Sequence, residues 1–261
     1  THLGGRIADV DRACAIAHRV GAWVIEDAAQ ALGARVAGNS VGLRGDIGFF
    51  SLAAGKGLSL HEGGLLLTRD EELRAALIEQ AAGHTPFKPR WELTRSLQLL
   101  GLAACYRPSL LSLVYGHPLR RALRRGDLEA AVGEVFPLDI PQHRVSRWRQ
   151  NVGAHAAQRL PAFLQAARLR ALQLRVQLES LPAVEVVDGM PGTLGTWPML
   201  MLLLPSERAR DKALSALWQR GLGVSRMFIH ALPDYAYLRG IVADADVPNA
   251  RDFAARSLTV G

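Results

Sequence analysis

The sequence predicts a layered α/β fold followed by a smaller α+β unit. Three observations point there. Over residues 7–83, helical patterns alternate with short apolar strands, the mark of an α/β architecture. Past residue 181 the order becomes strand, strand, helix. The chain has 261 residues, 49 % hydrophobic and 21 % charged, which is ordinary for one large or two modest globular domains.

The elements follow in order. Residues 7–20 carry an N-cap candidate in Asp9 and stop at Gly21, so they predict a helix. AWVIED is a short strand that ends in two acids, and a strand ending in a carboxylate can aim charge into a ligand crevice. DIGFFSL and GGLLLT are two more strands, flanking a loop that holds Lys56. Asp70 opens a helix over 70–82. Residues 84–126 hold eight Lys or Arg against one acid, Glu92. Inside them lies an apolar stretch broken at Arg107-Pro108. EVFPLDIP, residues 134–141, reads as a Pro-containing loop. A long helical pattern over 145–181 is interrupted at Pro161. VEVVD and WPMLMLLLP read as strands, and SERARDKALSALWQRG as a helix ending at Gly221. The division expected is 1–83, 84–144 and 145–261.

The net charge is +7 with a pI near 10.1. No nucleic-acid motif accompanies it, so the excess reads as an arginine-rich composition rather than a nucleic-acid partner. Cys14 and Cys105 lie far apart with no paired spacing. They read as buried free thiols of a reducing, cytoplasmic compartment, not a disulfide or metal framework. Thr1 leads directly into a folded pattern, without a secretory signature. No apolar run is long enough to span a bilayer. The basic stretch 84–126 admits two readings: an embellishment that solvates a basic face, or a patch suited to anionic lipid headgroups, with Arg90 and Arg95 before the apolar run and Arg120, Arg121, Arg124 and Arg125 after it.

The chain holds only three lysines, Lys56, Lys88 and Lys212. Where charge alone is needed it uses arginine, which stays protonated; a lysine can lose its proton and act as an amine nucleophile. The loop around Lys56, SLAAGKGLSLHEGG, fails three common motifs. Phe50 stands where a P-loop needs its first glycine. Leu60 stands at the third glycine of a dinucleotide fingerprint. Leu65 replaces the second histidine of an H-E-x-x-H zinc motif begun by His61-Glu62. What remains is a lysine that condenses with an aldehyde cofactor, pyridoxal phosphate being the common one. Such a cofactor needs an acid at its ring nitrogen, donors for its phosphate and a polar group at its ring oxygen. Asp27, Ser51 and Gln30 suit these tasks in that order, and Asp27 and Lys56 are expected to emerge at the same edge of one sheet.

The motifs Gly5 with Asp9, IEDAAQA over 25–31, GDIGFFS over 45–51, and Lys56 followed by Gly63-Gly64 resemble the DegT/DnrJ/EryC1/StrS family of pyridoxal-phosphate-dependent sugar aminotransferases. The resemblance is dense over residues 2–75. It implies an aspartate aminotransferase-like (fold type I) large domain with a mixed, mostly parallel sheet, of which 1–83 is the second part, and a small C-terminal α+β domain within 145–261. It implies Lys56 as the Schiff-base and proton-shuttling residue, Asp27 at the pyridinium, Gln30 at the ring oxygen and Ser51 at the phosphate. His230, with His61 and Glu62, would line the substrate site. It further implies a nucleotide-linked keto-sugar and an amino-acid donor such as glutamate as substrates, a homodimer, no metal, and a chain that lacks the family's N-terminal segment and tail. Family dehydratases carry histidine in place of the lysine; Lys56 argues against that activity.

Overall fold

The computed structural model describes residues 1–133, 140 and 142–261. The loop expected over 134–141 therefore lies, apart from Ile140, outside the described residues. Asp9 caps helix α1 (Val10–Ala17) by accepting the Arg12 N–H at 3.0 Å. A short 3-10 turn follows and ends at Gly21 in the left-handed region. Next come β1 (Ile25–Asp27), β2 (Arg35–Val36), β3 (Asn39–Ser40), β4 (Ile47–Ser51) and β5 (Gly64–Leu67). Asp70 caps α2 (Glu71–His84) through the Leu73 N–H at 2.8 Å. Helix α3 (Pro89–Cys105) ends just before Arg107-Pro108, where the ring disfavours helical backbone in the preceding residue. Then follow α4 (Pro108–Leu111), a π-helical turn over Ser112–Gly116, α5 (His117–Arg124), α6 (Leu128–Val132), α7 (Arg147–Ala157) and α8 (Leu160–Glu179). Pro161 opens α8 rather than bending it, since the first turn needs no donor there. The chain closes with β6 (Glu185–Val186), β7 (Thr193–Leu194), β8 (Leu200–Leu203), α9 (Glu207–Leu217), β9 (Val224–Ser225), α10 (Pro248–Arg256) and β10 (Ser257–Val260).

The chain forms two compact units. The first comprises 1–104, 140–170 and 188–198. Its main sheet has the order β1-β4-β5. Strands β1 and β4 run parallel, with Asp27 opposite Phe49, and β4 and β5 run antiparallel, with Ser51 opposite Gly64. The sheet is mixed as expected, but among the described residues parallel pairing is confined to β1 and β4, so it is not mostly parallel. Ile7, Ala28, Ala31, Ala34, Val41 and Phe50 form the core against it. A small antiparallel sheet, β3-β2-β7, has no counterpart in the sequence reading. Its strands are two residues long, too short to show alternation, and β7 arrives from far along the chain.

Gly48 fixes how tightly this sheet is covered. A Cβ there would stand 1.9 Å from the Gly42 carbonyl oxygen, and backbone cannot swing aside as a side chain does. Gly48→Ala is expected to cost about 3 kcal/mol, read as a lower urea midpoint with an unchanged slope.

The second unit comprises 105–139, 171–187 and 199–261. It is the expected α+β arrangement: a four-stranded antiparallel sheet, β6-β8-β10-β9, with a core of Leu119, Ala131, Leu202, Leu204, Leu214, Trp218, Val224 and Leu258. The stretch 84–144 is divided between the two units. Glu92 ties α3 to the first through Arg149, whereas Leu119 and Ala131 pack into the core of the second. The final segment RSLTVG holds β10, which pairs β8 on one side and β9 on the other.

Candidate active site

The parallel register of β1 and β4 decides the layout. Asp27 ends β1 opposite Phe49, and the Ala28 N–H donates to the Phe49 carbonyl at 3.0 Å, so Ser51 lies two residues further at the same sheet edge. The ends of the two strands thus share one edge, and Lys56 follows five residues after Ser51. The Asp27 carboxylate accepts the Ala29 N–H at 3.0 Å and the Thr1 hydroxyl at 3.2 Å. The Ser51 hydroxyl accepts the Ala53 N–H at 3.3 Å, leaving its proton free to donate. The Gly4 N–H donates to the Gln30 side chain at 2.7 Å. Because that partner is a donor, the accepting atom is Oε1, and the Gln30 NH2 group is turned elsewhere.

Lys56 sits on the loop between β4 and β5. The ladder of the two strands continues into this loop: Leu52 N–H donates to Gly63 O at 2.9 Å and Leu60 N–H to Leu52 O at 2.8 Å. The Lys56 side chain is half-buried. Burial lowers its ammonium pKa below the usual lysine range, and the nearby Asp27 charge partly opposes this. A lysine so placed is easier to deprotonate than one in water.

The loop's far half is held from outside the sheet, by a residue the sequence reading missed. Arg149 on α7 is completely buried. Its Nη1 donates to the carbonyls of Leu60 and Glu62 at 3.0 and 2.8 Å, and its Nε donates to Glu92 at 2.7 Å. Leu60 packs on α7 at Gly153, where an added Cβ would lie 3.1 Å from it. Glu92 also bonds Ser146, the α7 N-cap. The available signal was Glu92 itself, the one acid in a basic stretch.

A second buried pair lies behind Asp27. Glu26 and Asp27 are neighbours on a strand, so their side chains point to opposite faces. Glu26 is buried against His2, with 2.7 Å between Oε1 and Nε2. His2 Nδ1 accepts the Ala8 N–H at 3.0 Å, so the ring proton sits on Nε2 and is donated to Glu26. Glu26 also accepts the N–H groups of Arg44 and Gly45 at 2.8 and 3.1 Å. Burial alone would raise this carboxyl; the His2 and backbone donors outweigh it and hold it at about 2. For Glu92 burial again pulls upward, and Arg149 with Ser146 brings it down to about 2. Both lie below the ordinary 4.5, so folding favours the anions. Their contribution is complete above about pH 5 and is lost as pH falls through 4.5 toward about 2. Thermal midpoints are expected to fall steadily over that window, and Glu26→Gln to flatten the fall.

The remaining site candidates divide. His61 has a left-handed backbone, φ 68°, and its buried Nδ1 has no hydrogen-bond partner among the described residues. Glu62 is engaged elsewhere: its carboxylate accepts Trp91 Nε1 at 3.0 Å and pairs with Arg95, whose guanidinium lies over the Trp91 ring. A substrate role for Glu62 would have to compete with that cluster. His230 belongs to the second unit, 3.6 Å from Glu129 and edge-on to Tyr235. Cys14 and Cys105 are free, but half-buried rather than buried. Among the described residues no metal-binding group of His, Cys, Asp or Glu occurs, and no helix is long and apolar enough to cross a membrane.

The fold is shared with solved aminotransferase structures. The chain superposes on DesI, solved in the presence of its TDP-sugar product, with a TM-score of 0.67 and 23 % identity, covering 99 % of this chain and 55 % of that one. Residues 1–95 match the model of the DegT/DnrJ/EryC1/StrS aminotransferase family. A UDP-N-acetyl-3-dehydro-alpha-D-glucosamine 3-aminotransferase of Acidithiobacillus ferrooxidans is 46 % identical over 77 residues, 29 % of this chain and 21 % of that protein. A pleiotropic regulatory protein of Geobacillus stearothermophilus is 32 % identical over 158 residues, 60 % of this chain and 34 % of that protein. The chain thus spans about half the length of the solved relative, and the matched stretches about a third or less of the others.

Proposed function

We propose that this chain is part of a pyridoxal-phosphate-dependent aminotransferase that moves an amino group from an amino acid, glutamate in our reading, to a nucleotide-linked keto-sugar for polysaccharide or glycoconjugate biosynthesis. The observation that carries this is the meeting of Asp27, Ser51 and the Lys56 loop at one end of the β1–β4 pair, with Lys56 close enough to sense the Asp27 charge. The residues suit the group. Asp27 offers a carboxylate for a pyridine nitrogen, Ser51 a hydroxyl for a phosphate, and the Gln30 NH2 a donor for a ring oxygen. When bound, the cofactor supplies an electron sink for the carbanion at the amino-bearing carbon. Lys56 would hold the cofactor through Nζ and would take up and return the proton there, a task its lowered pKa favours. Asp27 would hold the proton of the ring nitrogen. The unpaired Nδ1 of His61 is a candidate for a polar group of the sugar. By family a homodimer is expected, and the free thiols fit a reducing, cytoplasmic setting.

The A. ferrooxidans relative and DesI support a nucleotide-sugar substrate by their names. A second reading, a non-catalytic regulatory role, has the name of the Geobacillus relative behind it. The presence of Lys56, Asp27, Gln30 and Ser51 together weighs against it. The test is a titration with pyridoxal phosphate, read by near-visible absorption, followed by borohydride reduction and peptide mapping, on this chain and on one extended upstream by its reading frame. A band with the label on Lys56 supports the enzyme. A colourless extended chain would favour the regulatory reading.

A further inference from the structure

We propose that residues 105–125 form a monotopic docking surface for an anionic bilayer. Three features of the second unit converge. First, Ser112, Leu113, Val114 and Tyr115 are all exposed, Leu113 at 67 % and Tyr115 at 57 %. Four successive exposed residues take up most of a helical turn, so this π-helical turn stands clear of the unit instead of packing on it. Tyr106, 65 % exposed, adds a second aromatic ring. Second, α5 is sharply two-faced. Leu119 is buried in the core with Ala122 and Leu123 packed beside it, while His117, Arg120, Arg121, Arg124 and Arg125 line one open cavity of about 340 Å³. Third, no acid occurs from residue 93 to 126. Among the described residues none of Arg120, Arg121, Arg124 and Arg125 has a carboxylate partner; Arg120 donates to the Ser112 carbonyl at 3.1 Å, which ties the basic helix to the apolar turn.

Aliphatic and tyrosine side chains beside a cationic cavity match the layering of a membrane surface, where apolar tips enter the acyl boundary and cations meet phosphate headgroups. Nucleic acid would use the cations but leave Leu113 and Val114 idle. A two-fold contact between copies of this chain would set the cationic face against itself. The surface is narrower than the sequence suggested, because Arg95, counted there with the basic flank, is spent on Glu62 and Trp91.

The experiment is co-sedimentation of the full chain with vesicles of phosphatidylcholine alone and of phosphatidylcholine with one-quarter phosphatidylglycerol. Binding to the anionic vesicles only, weakened by salt, is expected. Arg121→Gln/Arg124→Gln/Arg125→Gln should weaken it about a hundredfold. Leu113→Ser/Tyr115→Ser should weaken it about tenfold, with an unchanged thermal midpoint because both side chains are exposed. Equal binding to both vesicles, or wild-type binding by either variant, overturns the proposal. An apolar variant that changes the oligomeric state while the chain ignores vesicles would assign the surface to a second copy instead.

Discussion

Lys56→Arg is expected to lower amino transfer by about 10⁴-fold or more while leaving the fold intact. Arginine keeps the positive charge beside Asp27 but stays protonated at any working pH, so it serves neither as an amine nucleophile nor as a proton shuttle. The substitution therefore separates charge from chemistry. Lys56 is half-buried on a loop whose backbone is held by Leu52, Leu60 and Gly63, not by its own side chain. The thermal midpoint should then move by no more than about 2 °C, as expected of a substitution that breaks no buried contact. The measurement is single-turnover amino transfer by the upstream-extended chain, with borohydride labelling alongside. Labelling of the variant at Lys88 or Lys212 would place the reactive amine elsewhere.

The largest effect on stability is expected at Arg149. Arg149→Met leaves the Glu92 carboxylate buried without its cation and frees the carbonyls of Leu60 and Glu62. Breaking one side of a buried pair costs about 3–5 kcal/mol, or about 10 °C in a chain of this size. Arg149→Met/Glu92→Leu should recover part of that loss, because no charge is then stranded. Recovery should stay incomplete, since the two carbonyls remain unpaired. The same pair anchors the far half of the Lys56 loop, so amides over 52–63 should exchange hydrogen faster in the single variant. Unchanged exchange there would show that the strand ladder alone holds the loop.

Much of this protein was legible in its sequence because the signals are local. Asp9 and Asp70 are N-caps, and each bonds an N–H three residues on. Gly21 and Gly221 end their helices in left-handed backbone. IED and IGFFS, separated by about twenty residues, carry enough apolar character to be strands, and their ends named Asp27 and Ser51. The scarcity of lysine singled out Lys56. None of these inferences needs knowledge of what a residue touches across the fold.

What the tertiary structure alone decided is which polar groups are buried together. Arg149 and Glu92 are 57 positions apart, and His2 and Glu26 are 24 apart. No periodicity links such residues; only packing brings them within hydrogen-bond distance, and only burial makes the pairing consequential. The same holds for β10, whose sequence RSLTVG looks like a trailing end and is a central strand because β8 and β9 both reach it. Glu62 and Ser51, on either side of Lys56, make the contrast. Both are polar and close in sequence to Lys56, yet the structure spends one on Arg95 and Trp91 and leaves the other's hydroxyl proton free at the sheet edge. The sequence by itself determined the capped helices and the strands β1, β4 and β5, and pointed to Lys56; long-range burial determined what holds its loop in place.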